Sequence, residues 1–161
     1  MLSRRYHAPS PHLEVPRAAR SFATSTQGAQ ATDPRQGRQH SDQPGRVLVI
    51  EDEDSLREVI EVLVAIEGCE VKSAANGALA LEILADWQPD LILLDLYMPG
   101  MTGREFVQTY RSGAPPHAPI IVLSGTNENA DDLQALGCAG WLPKPFNVDD
   151  LLAVIAQYAD C

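Results

Sequence analysis

The chain has 161 residues, room for one ordinary domain and a tail but hardly for two. Its formal net charge of −10 argues against a general nucleic-acid binder. No segment approaches the ~20 consecutive apolar residues that a membrane-spanning helix needs. The three cysteines, Cys69, Cys138 and Cys161, are odd in number and lack metal-like spacing. They read as small apolar fillers in a reducing compartment, with Cys161 a stray end residue.

Charge divides the chain in two. Residues 1–45 carry six arginines against three acids, a net +3, which leaves −13 for the remainder. This first stretch is rich in Pro, Ser, Ala, Arg and Gln and has no sustained apolar period, so it is expected to be disordered. Its Arg- and Ser-rich, acid-poor start is a composition shared with organellar transit peptides. A plain flexible extension or a translation start placed too far upstream explains it as well. No apolar h-region is present, so it is not a secretory signal.

From Arg46 the pattern alternates between short apolar runs and helical periods. Val47–Ile50 reads as a buried strand. Leu56, Val59, Ile60, Leu63, Val64 and Ile66 recur at helical spacing until Gly68. Cys69–Ala74 is a weaker strand, and Ala78–Ala85 a helix ended before Pro89. Asp90–Leu94 is a strand with four consecutive aliphatics, closed by Asp95 and then Pro99-Gly100. A helix follows from Thr102, a possible cap, to about Ser112. Pro119–Leu123 is a fourth strand, Asn129–Leu136 a short helix closed by Gly137, and Ala139–Leu142 a fifth strand. Asn147 caps a last helix that runs to about Tyr158. Five strands alternating with five helices predict a parallel sheet covered on both faces, with right-handed crossovers. The Cys69–Ala74 strand and the last strand, with Pro143 at its end, suit the two edges.

In such a sheet, ligands and chemistry sit at the carboxyl ends of the strands. The first strand runs into Glu51-Asp52-Glu53-Asp54, the third into Asp95, the fourth into Ser124-Gly125-Thr126, and the fifth into Lys144-Pro145. Carboxylates gathered at one edge repel and need a cation. Mg²⁺ suits a site built from one or two carboxylates, water and phosphate. Glu51 and Asp52 are then candidate metal contacts, and Asp95 offers one oxygen to the metal and one for attack. The Tyr97 backbone carbonyl is a further candidate ligand. Lys144 supplies a compact positive charge for a phosphoryl oxygen, and the Ser124 hydroxyl a hydrogen bond. Taken singly, each of these residues is ordinary: a capping aspartate, a solvated acidic run, a turn serine, a surface lysine. Together, in this order, they are what phosphoryl transfer to a carboxylate nucleophile asks for.

Residues 46–158 resemble a receiver domain of two-component response regulators. The matching segments are Val47-Leu48-Val49-Ile50-Glu51-Asp52-Glu53, Leu94-Asp95-Leu96-Tyr97-Met98-Pro99-Gly100-Met101-Thr102-Gly103, Ile121-Val122-Leu123-Ser124-Gly125 and Gly140-Trp141-Leu142-Pro143-Lys144-Pro145-Phe146. The resemblance implies a flavodoxin-like, doubly wound five-stranded parallel sheet of order 2-1-3-4-5 over residues 46–161. It implies phosphorylation of Asp95, with Mg²⁺, by a sensor histidine kinase or a histidine phosphotransfer protein. Glu51 and Asp52 become the acidic pair, Ser124 the switch hydroxyl, Lys144 the phosphate-contacting lysine, Trp141 the switch aromatic and Lys144–Pro145 a candidate cis bond. Tyr97 and Thr126 hold places where the family tunes dephosphorylation. The expected protein is a cytoplasmic, single-domain signalling module, not an enzyme beyond its own phosphorylation and dephosphorylation. It acts on an unknown effector without nucleic acid or membrane, as a monomer or as a weak dimer through the fourth helix, fifth strand and fifth helix. The alternatives are a pseudo-receiver that only binds proteins, and the receiver fragment of a larger regulator or hybrid kinase. A phosphohydrolase with a similar sheet would need a second Asp where Tyr97 stands. A flavin site would need a Ser/Thr/Gly-rich phosphate loop after the first strand. Against the family pattern the stretch from Ser124 to Lys144 is short, which predicts a trimmed or displaced fourth helix.

Overall fold

The computed structural model describes the backbone of Arg20–Ser21 together with residues 43–125 and 128–161. The disorder and transit-peptide readings of the remaining N-terminal residues, and the role of Thr126, lie outside the described residues. In chain order the elements are β1 (Arg20–Ser21), β2 (Arg46–Ile50), α1 (Asp54–Ile66), β3 (Glu70–Ala74), α2 (Gly77–Leu84) and β4 (Leu91–Asp95). Then follow α3 (Gly103–Ser112), β5 (Ile120–Ser124), α4 (Ala130–Ala135), β6 (Gly140–Pro143) and α5 (Val148–Tyr158).

Strands β2 to β6 are mutually parallel and lie in the order β3-β2-β4-β5-β6. Counted among themselves this is the 2-1-3-4-5 order of the flavodoxin-like fold. The short apolar runs became strands because helices cover both faces, so alternate residues of β2, β4 and β5 are buried in opposite directions. Val47, Val49, Leu91, Leu93, Ile121 and Leu123 pack with Ile60 and Val64 of α1 and Leu151, Val154 and Ile155 of α5. Leu48, Ile50, Ile92, Leu94, Ile120 and Val122 pack on the other face with Ala80 of α2, Phe106 and Val107 of α3 and Leu133 of α4.

Local signals set the helix ends. Asn76 and Asn147 accept the amides of Leu79 and Asp150. Thr102 and Glu105 form a reciprocal capping box at the start of α3. Gly68 and Gly137 take the left-handed conformation that ends α1 and α4, with φ of +92° and +87°. The fourth helix is indeed short, at six residues.

Two expectations need correction. The last parallel strand, β6, is not the sheet's edge: Arg20–Ser21, within the stretch expected to be disordered, pairs with it antiparallel, Arg20 opposite Trp141 and Ser21 opposite Gly140. An open strand edge offers unpaired backbone groups that any extended backbone can satisfy, whatever its side chains. The cysteines are not all reduced fillers either. Cys69 and Cys161 are joined by a disulfide with their Cα atoms 4.6 Å apart, leaving Cys138 as the free, buried thiol.

Candidate functional site

The strand order reverses direction between β2 and β4, so a crevice opens beyond their carboxyl ends. Glu51 follows β2 directly and Asp95 is the last residue of β4. Both are buried, at 1% and 7% exposure. One oxygen from each of Glu51, Asp52 and Asp95 falls within 4.8 Å of the others, with Asp52 on the open side.

Lys144 reaches this cluster from the loop after β6. Its Nζ donates to Glu51 Oε2 at 2.7 Å and to Asp95 Oδ2 at 2.8 Å. The other Asp95 oxygen, Oδ1, accepts the backbone N–H of Tyr97 at 2.9 Å. The Lys144–Pro145 peptide bond is cis, and the Lys144 amide donates to the Ser124 carbonyl, which ties the lysine's backbone to the end of β5.

Burial pushes the Glu51 carboxyl above its ordinary range, and Asp95 adds to this; the hydrogen bond and charge of Lys144 offset it only in part. Burial alone would lower the Lys144 ammonium, but its bonds to Asp95 and Glu51 outweigh that and raise it. One lysine therefore does not neutralise the acidic cluster. Three hard carboxylate donors that stay underneutralised fit a divalent cation, and Mg²⁺ matches their chemistry.

Backbone details hold the nucleophile candidate in place. A Cβ on Gly103 would stand 2.4 Å from the Asp95 carbonyl oxygen, so only glycine allows α3 to start against the end of β4. The guanidinium of Arg57 donates to the Glu51 carbonyl at 2.8 Å and also pairs with Asp54, which braces the acidic loop.

The other sequence-derived candidates lie nearby in differing states. Ser124 is fully buried at the end of β5, but its hydroxyl donates to the Gly125 carbonyl at 3.2 Å. Trp141 is half-buried on the α4 face of β6. Tyr97 is 67% exposed, and its hydroxyl donates to Glu128, which also pairs with Arg104 at 2.7 Å. Neither Glu128, Arg104 nor Arg57 stood out in sequence. The only trace was the Asp54/Arg57 spacing along one helix face, since Glu128 meets its partners across loops.

A parallel, doubly wound sheet with an acidic crevice and a lysine at its switch point defines a CheY-like receiver architecture. Residues 47–156 match the response regulator receiver domain family, and the chain belongs to that family. It is 33% identical over 114 residues to the regulatory protein AtoC of Escherichia coli, covering 70% of this chain and 24% of AtoC. It is 37% identical over 109 residues to the transcriptional regulatory protein KdpE of Mycobacterium tuberculosis, covering 66% of this chain and 47% of KdpE. The chain thus spans a quarter to a half of the length of these curated relatives. Among solved structures, chemotaxis response regulator CheY4 of Vibrio cholerae aligns with a TM-score of 0.67 at 33% identity, covering 71% of this chain and 98% of CheY4. Response regulator TrrA of Thermotoga maritima, in complex with Mg²⁺ and BeF, aligns with a TM-score of 0.63 at 32% identity, covering 71% and 98%. Among the described residues, no helix is long and apolar enough to cross a membrane.

Proposed function

We propose that this receiver domain takes a phosphoryl group from a phosphohistidine donor onto Asp95, in a Mg²⁺-dependent reaction, and passes the signal on by a conformational switch. The observation that carries the reading is the Lys144 ammonium bridging Glu51 and Asp95 at the sheet's switch point, with Asp52 beside them.

An Asp95 carboxylate oxygen attacks phosphorus. The new P–O bond makes an acyl phosphate as the P–N bond to the donor imidazole breaks, and that nitrogen keeps the electron pair. Glu51, Asp52 and Asp95 are the side chains that would hold Mg²⁺, with the Tyr97 carbonyl a further candidate. When bound, the ion neutralises charge on the phosphoryl oxygens. Lys144 provides a second positive charge within reach of Asp95 and pairs with a phosphoryl oxygen.

Phosphorylation adds nearly two negative charges beside Asp95. Ser124 must then release the Gly125 carbonyl to donate to the phosphoryl group, which moves the loop after β5. Trp141, one strand away and half-buried, repacks with it, altering the face of α4, β6 and α5. That face is offered to an effector protein, to another domain of a longer regulator, or to a second copy in a weak dimer. The domain catalyses only its own phosphorylation and dephosphorylation, and the setting is cytoplasmic.

Incubation with acetyl phosphate and Mg²⁺, followed by intact mass measurement, tests this. An adduct of roughly 80 Da is expected. It should be absent in Asp95→Asn and in the presence of EDTA. An unmodified wild type, or an adduct that persists in Asp95→Asn, overturns the reading. A panel of histidine kinases then identifies the donor.

A further inference from the structure

We propose that Cys69 and Cys161 are a reversible thiol–disulfide modification site that clasps the segment after α5 onto the amino-terminal end of the sheet. They are 92 residues apart in sequence. Their Cα separation of 4.6 Å falls within the roughly 4.4–6.8 Å that a disulfide spans.

The approach is prepared by contacts other than the sulfur bond. Ala159 is buried in the same core cluster as Val64 and Cys69, and its amide ends α5 on the Ile155 carbonyl at 2.8 Å. The Asp160 carbonyl accepts the Gly45 amide at 2.6 Å. Gly45 is fitted to that contact, since a Cβ there would stand 2.8 Å from the Asp160 oxygen. Gly68, at φ +92°, turns the chain out of α1, and a Cβ on it would come within 3.8 Å of the Cys161 carbonyl carbon. The backbone therefore brings the two thiols together whether or not they are bonded.

The cysteines differ in access. Cys161 is exposed and Cys69 is 6% exposed. A small disulfide of the glutathione type reaches Cys161 first. The Cys161 thiolate attacks one of its sulfurs, forms a mixed disulfide and releases one small thiol. The Cys69 thiolate then attacks the Cys161 sulfur and releases the second. The protein gives up two electrons and two protons, and the oxidant becomes two thiols. Cys138 stays out of this exchange: it lies under the other face of the sheet, and burial pushes its thiol up to about 11.

In a reducing compartment such a pair is open at rest and closes under oxidation. Closure ties the end of α5 to the turn between α1 and β3. The two helices share one face of the sheet, so their ends can no longer part. It also restricts the unfolded chain, which raises the melting temperature.

The full chain is incubated with glutathione disulfide or with dithiothreitol, alkylated and peptide-mapped, and its melting followed. The oxidised form should be about 2 Da lighter, contain a Cys69–Cys161 peptide, and carry alkyl only on Cys138. It should melt roughly 10 °C above the reduced form. Cys161→Ser, a change at an exposed position, should fold and abolish the difference. Its acetyl phosphate adduct at Asp95 should match wild type, so this test stands apart from the phosphorylation test. Three alkylated cysteines after oxidant, a link through Cys138, or equal melting temperatures would each overturn the proposal.

Discussion

Replacing Lys144 with methionine keeps most of the side chain's length and removes its charge. The ammonium it deletes holds Glu51 at 2.7 Å and Asp95 at 2.8 Å. Two charge-assisted bonds at about 1.5–3 kcal/mol each set an upper limit of about 6 kcal/mol. Lys144 is about a quarter exposed, and the orphaned carboxylates recruit water or a proton. We therefore expect a net loss of about 2 kcal/mol at neutral pH without metal. The pH dependence carries the diagnosis. Glu51 already has a raised folded pKa, so the folded state binds its proton more tightly than the unfolded chain does. Ionised Glu51 therefore costs stability above that folded value, and the cost disappears as pH falls toward the ordinary carboxylate value. Removing Lys144 raises Glu51 further and widens this window. The stability it contributes through its own raised pKa is present below the ordinary lysine value and lost only as pH rises through the folded one. Urea unfolding in EDTA, on wild type and Lys144→Met, should show a large gap at pH 7.5 that narrows by pH 5. Added Mg²⁺, binding the native state alone, should narrow it at pH 7.5 as well. A gap that is absent at pH 7.5, or the same at both pH values, would refute the electrostatic account.

Three further outcomes follow from the geometry. Gly103→Ala drives a methyl group into the Asp95 backbone and should cost about 1–3 kcal/mol by denaturant titration, while slowing acetyl phosphate uptake; an unmoved midpoint counts against the close-approach argument. Tyr97→Ala removes a bulky neighbour of Asp95 and its tie to Glu128, and should shorten the aspartyl phosphate lifetime several-fold, read by loss of the mass adduct. An unchanged lifetime means Tyr97 does not restrict water. On α1, which begins beside the acidic loop, Val59, Val62 and Ile66 form an exposed apolar stripe at helical spacing. Val62→Asp should slow transfer from a cognate protein donor and leave acetyl phosphate uptake unchanged; equal effects on both would show that the stripe does not contact the donor.

Much of this protein was legible before any coordinates. Short aliphatic runs closed by turn residues and alternating with helical periods point to strands of a doubly covered parallel sheet, so the sheet could be read from pattern, while its strand order came from the resemblance to receiver domains. Thr102, Asn147, Gly68 and Gly137 act within a turn of their own position, and short-range chemistry is visible in short-range sequence. The meeting of Glu51, Asp95 and Lys144 was readable too, because each lies at or just past the carboxyl end of a strand in one parallel sheet. Other features depended on what lies across space. Arg20–Ser21 pairs with β6 through backbone groups that carry no side-chain signature. Cys69 and Cys161 meet because α1 and α5 end at the same edge of the sheet, which spacing alone does not reveal. The Ser124 hydroxyl turns to Gly125, and Glu128 gathers Tyr97 and Arg104, because rotamers and loop paths answer to neighbours that only the packed chain supplies.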